Sequence, residues 1–132
     1  MILNLTQHAA TTEQIKAGVV DLTGDELASL KEALTFSELP TEQDIRERAE
    51  HIASLAIFNG LGPDDGDDPY FERAMIGGAL WLMAPLAAEL RAHGIEPVFA
   101  FSVRETEEQT QPDGSVRKIA VFRHAGFVPA VA

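Results

Sequence analysis

The chain opens on an apolar run broken once, Ile2-Leu3-Asn4-Leu5, and passes at Thr6-Gln7-His8 into polar sequence. A run this short, bounded by polar residues, predicts a buried strand. Thr11-Thr12-Glu13-Gln14 has the hydroxyl and amide spacing of a capping box, so a short helix is predicted to start there. Strand, loop and helix N-terminus thus follow in immediate succession. Gly18-Val19-Val20-Asp21-Leu22, rich in β-branched residues, predicts a second strand. Thr23 with Glu26 repeats the capping pattern, and Leu27, Leu30 and Leu34 form one stripe of a helix that should end near Phe36.

Pro40-Thr41 announces a third helix, with Thr41 as cap and Asp44 three residues on. Its apolar face is Ile45, Ala49, Ile52, Ala53 and Ala56, while Glu42/Arg46, Asp44/Arg48 and Arg46/Glu50 are i,i+4 pairs on the wet side. Asn59-Gly60 should end it, and "GLGPDDGDDP" reads as an acidic loop without regular structure. Ala74-Met75-Ile76 reads as a strand ending at Gly77-Gly78, the alternative being one glycine-interrupted helix from Tyr70. Pro85 favours the strand, because proline is tolerated in a helix's first turn and costs about 3 kcal/mol in its interior. The next helix is therefore expected from Ala84 or Pro85 to His93, after an apolar loop over residues 77–83.

Residues 97–104, "PVFAFSVR", alternate, with Val98, Ala100, Ser102 and Arg104 on one face and Phe99, Phe101 and Val103 on the other. Pro112-Asp113-Gly114-Ser115 is a turn, and residues 116–122 form a second β run, so the two make a hairpin. The intervening "ETEEQTQ" reads as solvated strand or loop. The order β, α, β, α, α, β, α, β, β predicts a single α/β domain over residues 1–132. Its sheet should be mainly parallel, covered on both faces by helices, with an antiparallel C-terminal hairpin. In such sheets ligands bind outside the carboxyl ends of the strands, where chain order reverses. Thr6-Gln7-His8 and Gly77-Gly78 would both sit at such ends.

Composition narrows the chemistry. An apolar content of 45% and a charged content of 23% are those of a globular domain. No apolar run approaches the ~18 residues of a membrane span, and the N-terminus lacks a secretory pattern, so a cytoplasmic protein without membrane contact is expected. Without cysteine there is no disulfide, thiolate zinc site or cysteine nucleophile. The net charge is −11, and residues 1–72 hold 15 Asp and Glu against 4 Lys and Arg, whereas residues 73–132 hold 6 of each. Binding to long nucleic acid is not expected from that balance, since counterion release needs several exposed cations. A small phosphorylated ligand in a locally basic pocket is allowed.

His8 can serve as a general acid or base, and Thr6, Gln7, Thr11 and Thr12 can donate to phosphate at a helix N-terminus. The plainer reading is a polar connector with capping threonines. Gly77-Gly78 can let a phosphate approach the backbone, or can simply be a tight turn. Ser102 and Arg104, with Arg123 and His124 at the end of the partner strand, offer a guanidinium fork and an imidazole, or an ordinary solvated strand edge. His51 and His93 fit structural roles on their helices. Asp64, Asp65, Asp67 and Asp68 do not match a calcium-loop pattern, so no metal or other cofactor is expected. Trp81 can stack on a base, or cover a core or dimer interface within the apolar run 79–85.

On "LNLTQHAATTEQI" and "IGGALWLMAPLAAELRAHGIEPVFAFS", the chain resembles the small single-domain CRISPR-associated proteins with a Rossmann-like, CARF-type ligand-binding fold. These include ring nucleases, which degrade cyclic oligoadenylate. The resemblance spans most of the chain in element order. It implies a homodimer with one two-fold ligand site and metal-independent chemistry, in which a ribose 2'-hydroxyl attacks its own phosphate. It further implies His8 and Thr6 as the catalytic set, and Asn4, Gln7, Thr11, Thr12, Gly77, Gly78, Ser102 and Arg104 as ligand contacts. The acidic first half departs from a polyanion site. Two other classes stay open: a nucleotide sensor or sponge without turnover, and an acidic interaction protein of a phage or mobile element.

Overall fold

β1 (Ile2–Leu5), β2 (Val19–Asp21), β3 (Arg73–Ile76), β4 (Glu96–Thr110) and β5 (Val116–Pro129) form one sheet in the order β2-β1-β3-β4-β5. The structure, a computed structural model, describes residues 1–57 and 71–131. Asp64, Asp65, Asp67 and Asp68, considered above as cation ligands, lie outside the described residues. The first four strands run parallel and β5 returns antiparallel to β4. The expected α/β class, mainly parallel sheet and terminal hairpin are therefore present.

The helices are α1 (Thr12–Lys16), α2 (Gly24–Leu34), α3 (Glu42–Ile57) and α4 (Leu80–Ala92). Parallel crossovers are right-handed, so the direction of each step along the sheet decides which face its helix covers. Only β1 to β2 steps one way; β2 to β3 and β3 to β4 step the other. On one face Leu3, Leu5, Ala74 and Ile76 pack with Leu30 and Leu34 of α2, Ile52 and Ala56 of α3, and Leu82, Leu86 and Leu90 of α4. The other face carries a small cluster, Ile2, Val19, Met75 and Val98, with Ala10 and Phe127 against it. Helical cover on both faces, as expected from the sequence, is thus uneven. The second face has the five-residue α1 and the curl of β5, whose His124 amide donates to Glu13 Oε2 at 3.1 Å.

The caps follow local chemistry. Thr41 Oγ1 accepts from the Asp44 amide at 3.1 Å and starts α3, and Glu42/Arg46 and Asp44/Arg48 pair at 2.8 and 3.0 Å. Thr23 makes no side-chain cap, and the residue after it, Gly24, has φ +60°.

Two elements differ from expectation. α4 begins at Leu80 and contains Pro85 in its second turn. Unwinding residues 80–84 would expose Leu82, which is fully buried, and burying a leucine is worth ~1.5–3 kcal/mol, comparable with the proline penalty. The apolar loop therefore shrinks to Gly77-Gly78-Ala79. The hairpin is also longer, with β4 absorbing "ETEEQT" and β5 continuing to Pro129. No helix among the described residues is long and apolar enough to cross a membrane.

Candidate functional site

From β1 the chain passes to β2 on one side, and β3 lies on the other, so chain order reverses between β1 and β3. Register pairs Leu5 with Ile76, so the two strands end level. A crevice of about 680 Å³ opens there. One wall is Thr6, Gln7, His8 and Ala9, backed by Thr11 and Gln14 of α1. The opposite wall is Gly77, Gly78 and Ala79. Met75 and Ile76 reach it from β3, Leu34 from α2, and Phe99 and Ala100 from β4. The first strand's tip and the diglycine bend thus face one cavity.

Six of the residues singled out from the sequence line it: Thr6, Gln7, His8, Thr11, Gly77 and Gly78. Thr12, Ser102 and Arg104 do not; Thr12 is exposed on α1, and Ser102 and Arg104 are exposed on the hairpin, opposite His124 and Phe122. Asn4 lies behind the wall and is 3% exposed. Its Nδ2 donates to the His8 carbonyl and to Asp21 Oδ1, both at 2.8 Å. Its Oδ1 accepts from the Thr6 amide at 2.9 Å and the Thr6 hydroxyl at 2.7 Å. Both donors and the acceptor of this amide are thereby used, which leaves nothing for a ligand. The resemblance implied Asn4 as a ligand contact; its polarity serves the loop instead.

Thr6 has one hydroxyl proton, and it faces Asn4 Oδ1 at 2.7 Å and the His8 carbonyl at 3.2 Å. Toward a ligand Thr6 therefore offers lone pairs rather than a donor. Gln7 Nε2 donates to Thr35 Oγ1 at 3.2 Å, and that hydroxyl donates to the Lys31 carbonyl at 2.7 Å. Thr11 and Gln14 form a full capping box: Thr11 Oγ1 accepts from the Gln14 amide at 3.1 Å, and Gln14 Oε1 accepts from the Thr11 amide at 3.0 Å. The His8 side chain is exposed, and its ring hydrogen-bonds to no described residue.

The two walls meet at Gly77, where a Cβ would lie 3.4 Å from Thr6 Cγ2. Gly78 has φ +142°, a conformation that side chains disfavour, so the bend needs glycine there. Among the described lining residues there is no Lys, Arg, Asp or Glu. Among those residues His8 is the one ionisable group, and the rest are dipoles and apolar surface.

The remaining candidates have partners elsewhere. Arg123 pairs with Glu107, with Glu105 at 3.5 Å and with Glu13 at 3.9 Å, which ties β5 to β4 and α1. The His124 ring packs on Phe127 with centroids 4.8 Å apart, and its Nδ1 is buried without a hydrogen bond. His51 Nε2 lies 2.7 Å from Ser29 Oγ and links α3 to α2, while His93 Nδ1 donates to the Glu89 carbonyl at 2.9 Å. Trp81 is half exposed and stands edge-on to Phe36, centroids 5.4 Å apart. Asp21, which holds the loop, was missed by sequence reasoning. Its only signal was a carboxylate at the end of the strand following a buried-strand asparagine.

The fold and crevice define an α/β protein with a cavity at the strand-order reversal of a mainly parallel sheet. Residues 1–128 match the uncharacterized protein MJ1673 family, and the chain belongs to that family. No curated protein and no solved structure matches it.

Proposed function

We propose that the crevice binds a cyclic oligoadenylate and cleaves it without a metal, in a homodimer whose site lies across the two-fold. The observation that carries this reading is the convergence of the β1 tip and the diglycine bend on one cavity of about 680 Å³. The strand order 2-1-3-4-5 supports the Rossmann-like interpretation, since doubly wound sheets of that order take nucleotides at the same reversal. Adenine rests against Leu34, Phe99 and Ala100. A phosphate approaches the Gly77-Gly78 backbone, where no side chain intervenes.

In the reaction a ribose 2'-oxygen bonds to the adjacent phosphorus and its proton passes to a base. The bond from phosphorus to the 5'-oxygen breaks, and that oxygen takes up a proton, leaving a 2',3'-cyclic phosphate and a 5'-hydroxyl. His8 is the group assigned to this proton traffic, because it is the ionisable side chain among the described residues of the wall. Positioning of the 2'-oxygen in line with the breaking bond supplies the rest. Arg104 is exposed on the hairpin outside the crevice, and its guanidinium is assigned to outer phosphates of a ring.

A second reading, binding without turnover, is favoured by one observation: no described residue orients the His8 ring. Incubation with cyclic tetra- and hexaadenylate in excess chelator, followed by chromatography, separates the readings. Linear products ending in a cyclic phosphate support the nuclease. An intact ring retained by the protein supports the sensor or sponge. If both rings elute unbound and uncut, both readings fall and an interaction protein remains.

A further inference from the structure

A chain leaving a parallel strand loses its ladder partners, so the first backbone groups of the loop must find others or bind water. After β1 these groups include the Thr6 amide, the His8 carbonyl and the Ala10 amide. Asn4 accepts from the Thr6 amide at 2.9 Å and donates to the His8 carbonyl at 2.8 Å. Asp21 accepts from the Ala10 amide, both carboxylate oxygens lying at 3.2 Å. The two side chains are joined at 2.8 Å, and their residues are register partners on adjacent strands. All three groups are thus satisfied from one amide and one carboxylate anchored in the sheet.

The geometry points to Asp21 and Asn4 as a positioning pair that holds residues 6–10 in binding shape before a ligand arrives. This inference rests on the reading of that wall as the ligand site. A wall ordered in advance binds without the entropy cost of ordering at that moment. Asp21 is not among the residues that line the crevice, so its effect on a ligand passes through Asn4 and the loop backbone. The chemistry also explains the residue types. Asn4 must both donate and accept, and Asp21 accepts from Asn4 through Oδ1 and from Ala10 through both oxygens, which needs the two acceptor oxygens of a carboxylate where an amide has one.

The exchange N4D/D21N keeps most of this pattern. Asp at position 4 still accepts from Thr6, and Asn at position 21 donates to it while accepting from Ala10; the bond to the His8 carbonyl is the one given up. Amide hydrogen exchange on the full chain, read residue by residue by NMR, tests the pair. D21A removes the acceptor of the Ala10 amide, and N4D sets a carboxylate against Asp21 and the His8 carbonyl, which repels the loop from its anchor. In both, the Thr6 and Ala10 amides should exchange at least ~10-fold faster, while Ile52 and Leu86 in the helices keep their rates. The double exchange should restore both loop amides to within about threefold of the natural chain. Affinity for cyclic tetra- and hexaadenylate, measured by calorimetry, should fall at least ~10-fold in each single variant and recover in the double.

Unchanged loop exchange in D21A overturns the inference. So does faster exchange spread equally to Ile52 and Leu86, because that marks a purely global loss of stability. If N4D does not fold, D21A and the double exchange decide the matter. If the natural chain binds neither ring, the ligand reading fails, yet the exchange rates still establish or refute the ordering of the wall.

Discussion

The guanidinium carbon of Arg48 lies 4.1 Å above the centroid of the Phe36 ring. The same side chain donates through Nε to Asp44 Oδ1 at 3.0 Å, and through Nη1 to the Thr35 carbonyl and, at 3.4 Å, to that of Ala33. Arg48 of α3 thereby closes the C-terminus of α2, where carbonyls lack intrahelical partners. Arg48→Ala should lower the unfolding free energy by about 2 kcal/mol, through lost charge-assisted hydrogen bonds and cation–π contact. Urea titration measures this. Arg48→Lys should lose less, keeping charge but not the fork. Because Phe36 also touches Trp81, tryptophan emission should shift in both variants.

His8→Ala tests the proton role. Cleavage of the ring should slow by at least ~100-fold if the imidazole is the acid or base, while retention of the uncut ring stays within a few-fold. A rate equal to that of the natural chain removes His8 from the chemistry.

The diglycine bend should respond unequally to alanine. At Gly78 the backbone has φ +142°, and the neighbours of a Cβ, Leu34 Cδ2 and Met83 Cε, lie at an ordinary 3.8 Å. Strain rather than crowding is then the cost, about 1–3 kcal/mol for Gly78→Ala. At Gly77 the nearest atom to a Cβ is Thr6 Cγ2 at 3.4 Å, and no positive φ is required. Gly77→Ala should change stability by under about 1 kcal/mol, yet bring the two walls into firmer contact and weaken ring binding. Thermal melts and binding of cyclic tetraadenylate separate the two effects.

In the hairpin turn, Asp113 Oδ1 accepts from the Ser115 hydroxyl at 2.6 Å and the Ser115 amide at 2.9 Å. These two bonds, the hydroxyl first, hold the Asp113 carboxyl below its ordinary range. A depressed folded value means that the turn's extra stability is present above the ordinary carboxylate range and is lost only as pH falls through the lowered one. Ser115→Ala should move the Asp113 midpoint back toward the ordinary value. Carbon NMR of the carboxyl, titrated through the acid range, reads the shift directly.

Pro85 leaves the Trp81 carbonyl without the amide four residues on that an α-helix supplies. Pro85→Ala should therefore raise stability, by ~1–3 kcal/mol before the entropy returned to the unfolded chain is subtracted. Urea midpoints of the two proteins check it.

Most parts of this protein set by near neighbours in the chain were readable from it, the Thr23–Glu26 pattern being the exception, since Thr23 makes no side-chain cap. The Thr11–Gln14 box and the Thr41 cap are three-residue relationships, and both form as the spacing predicts. The element order and the hairpin turn were legible for the same reason. The start of α4 was not, because the burial of Leu82 against other elements outweighs the local rule for Pro85. The second half of β5, beyond the expected run of residues 116–122, was not legible either. In the structure Gly126, at φ +150°, sits beside the bulge near Phe101, and Pro129 lies on an edge strand, where a missing amide costs the sheet little. Asn4 was a ligand contact by the resemblance alone, and its structural role was not legible because its partner Asp21 is 17 residues away in sequence. A long-range tie of that kind has no periodic signature.

Among the described residues the crevice wall carries no Lys, Arg, Asp or Glu, although the chain as a whole carries −11. A polyanion held by dipoles in such a cleft displaces few condensed ions from the protein, so its affinity should stay nearly flat as sodium chloride rises. Added salt also shortens the reach of the surrounding negative field, to ~8 Å at physiological ionic strength. Capture of the ring should then be faster in brine than in dilute buffer, the reverse of a basic phosphate pocket.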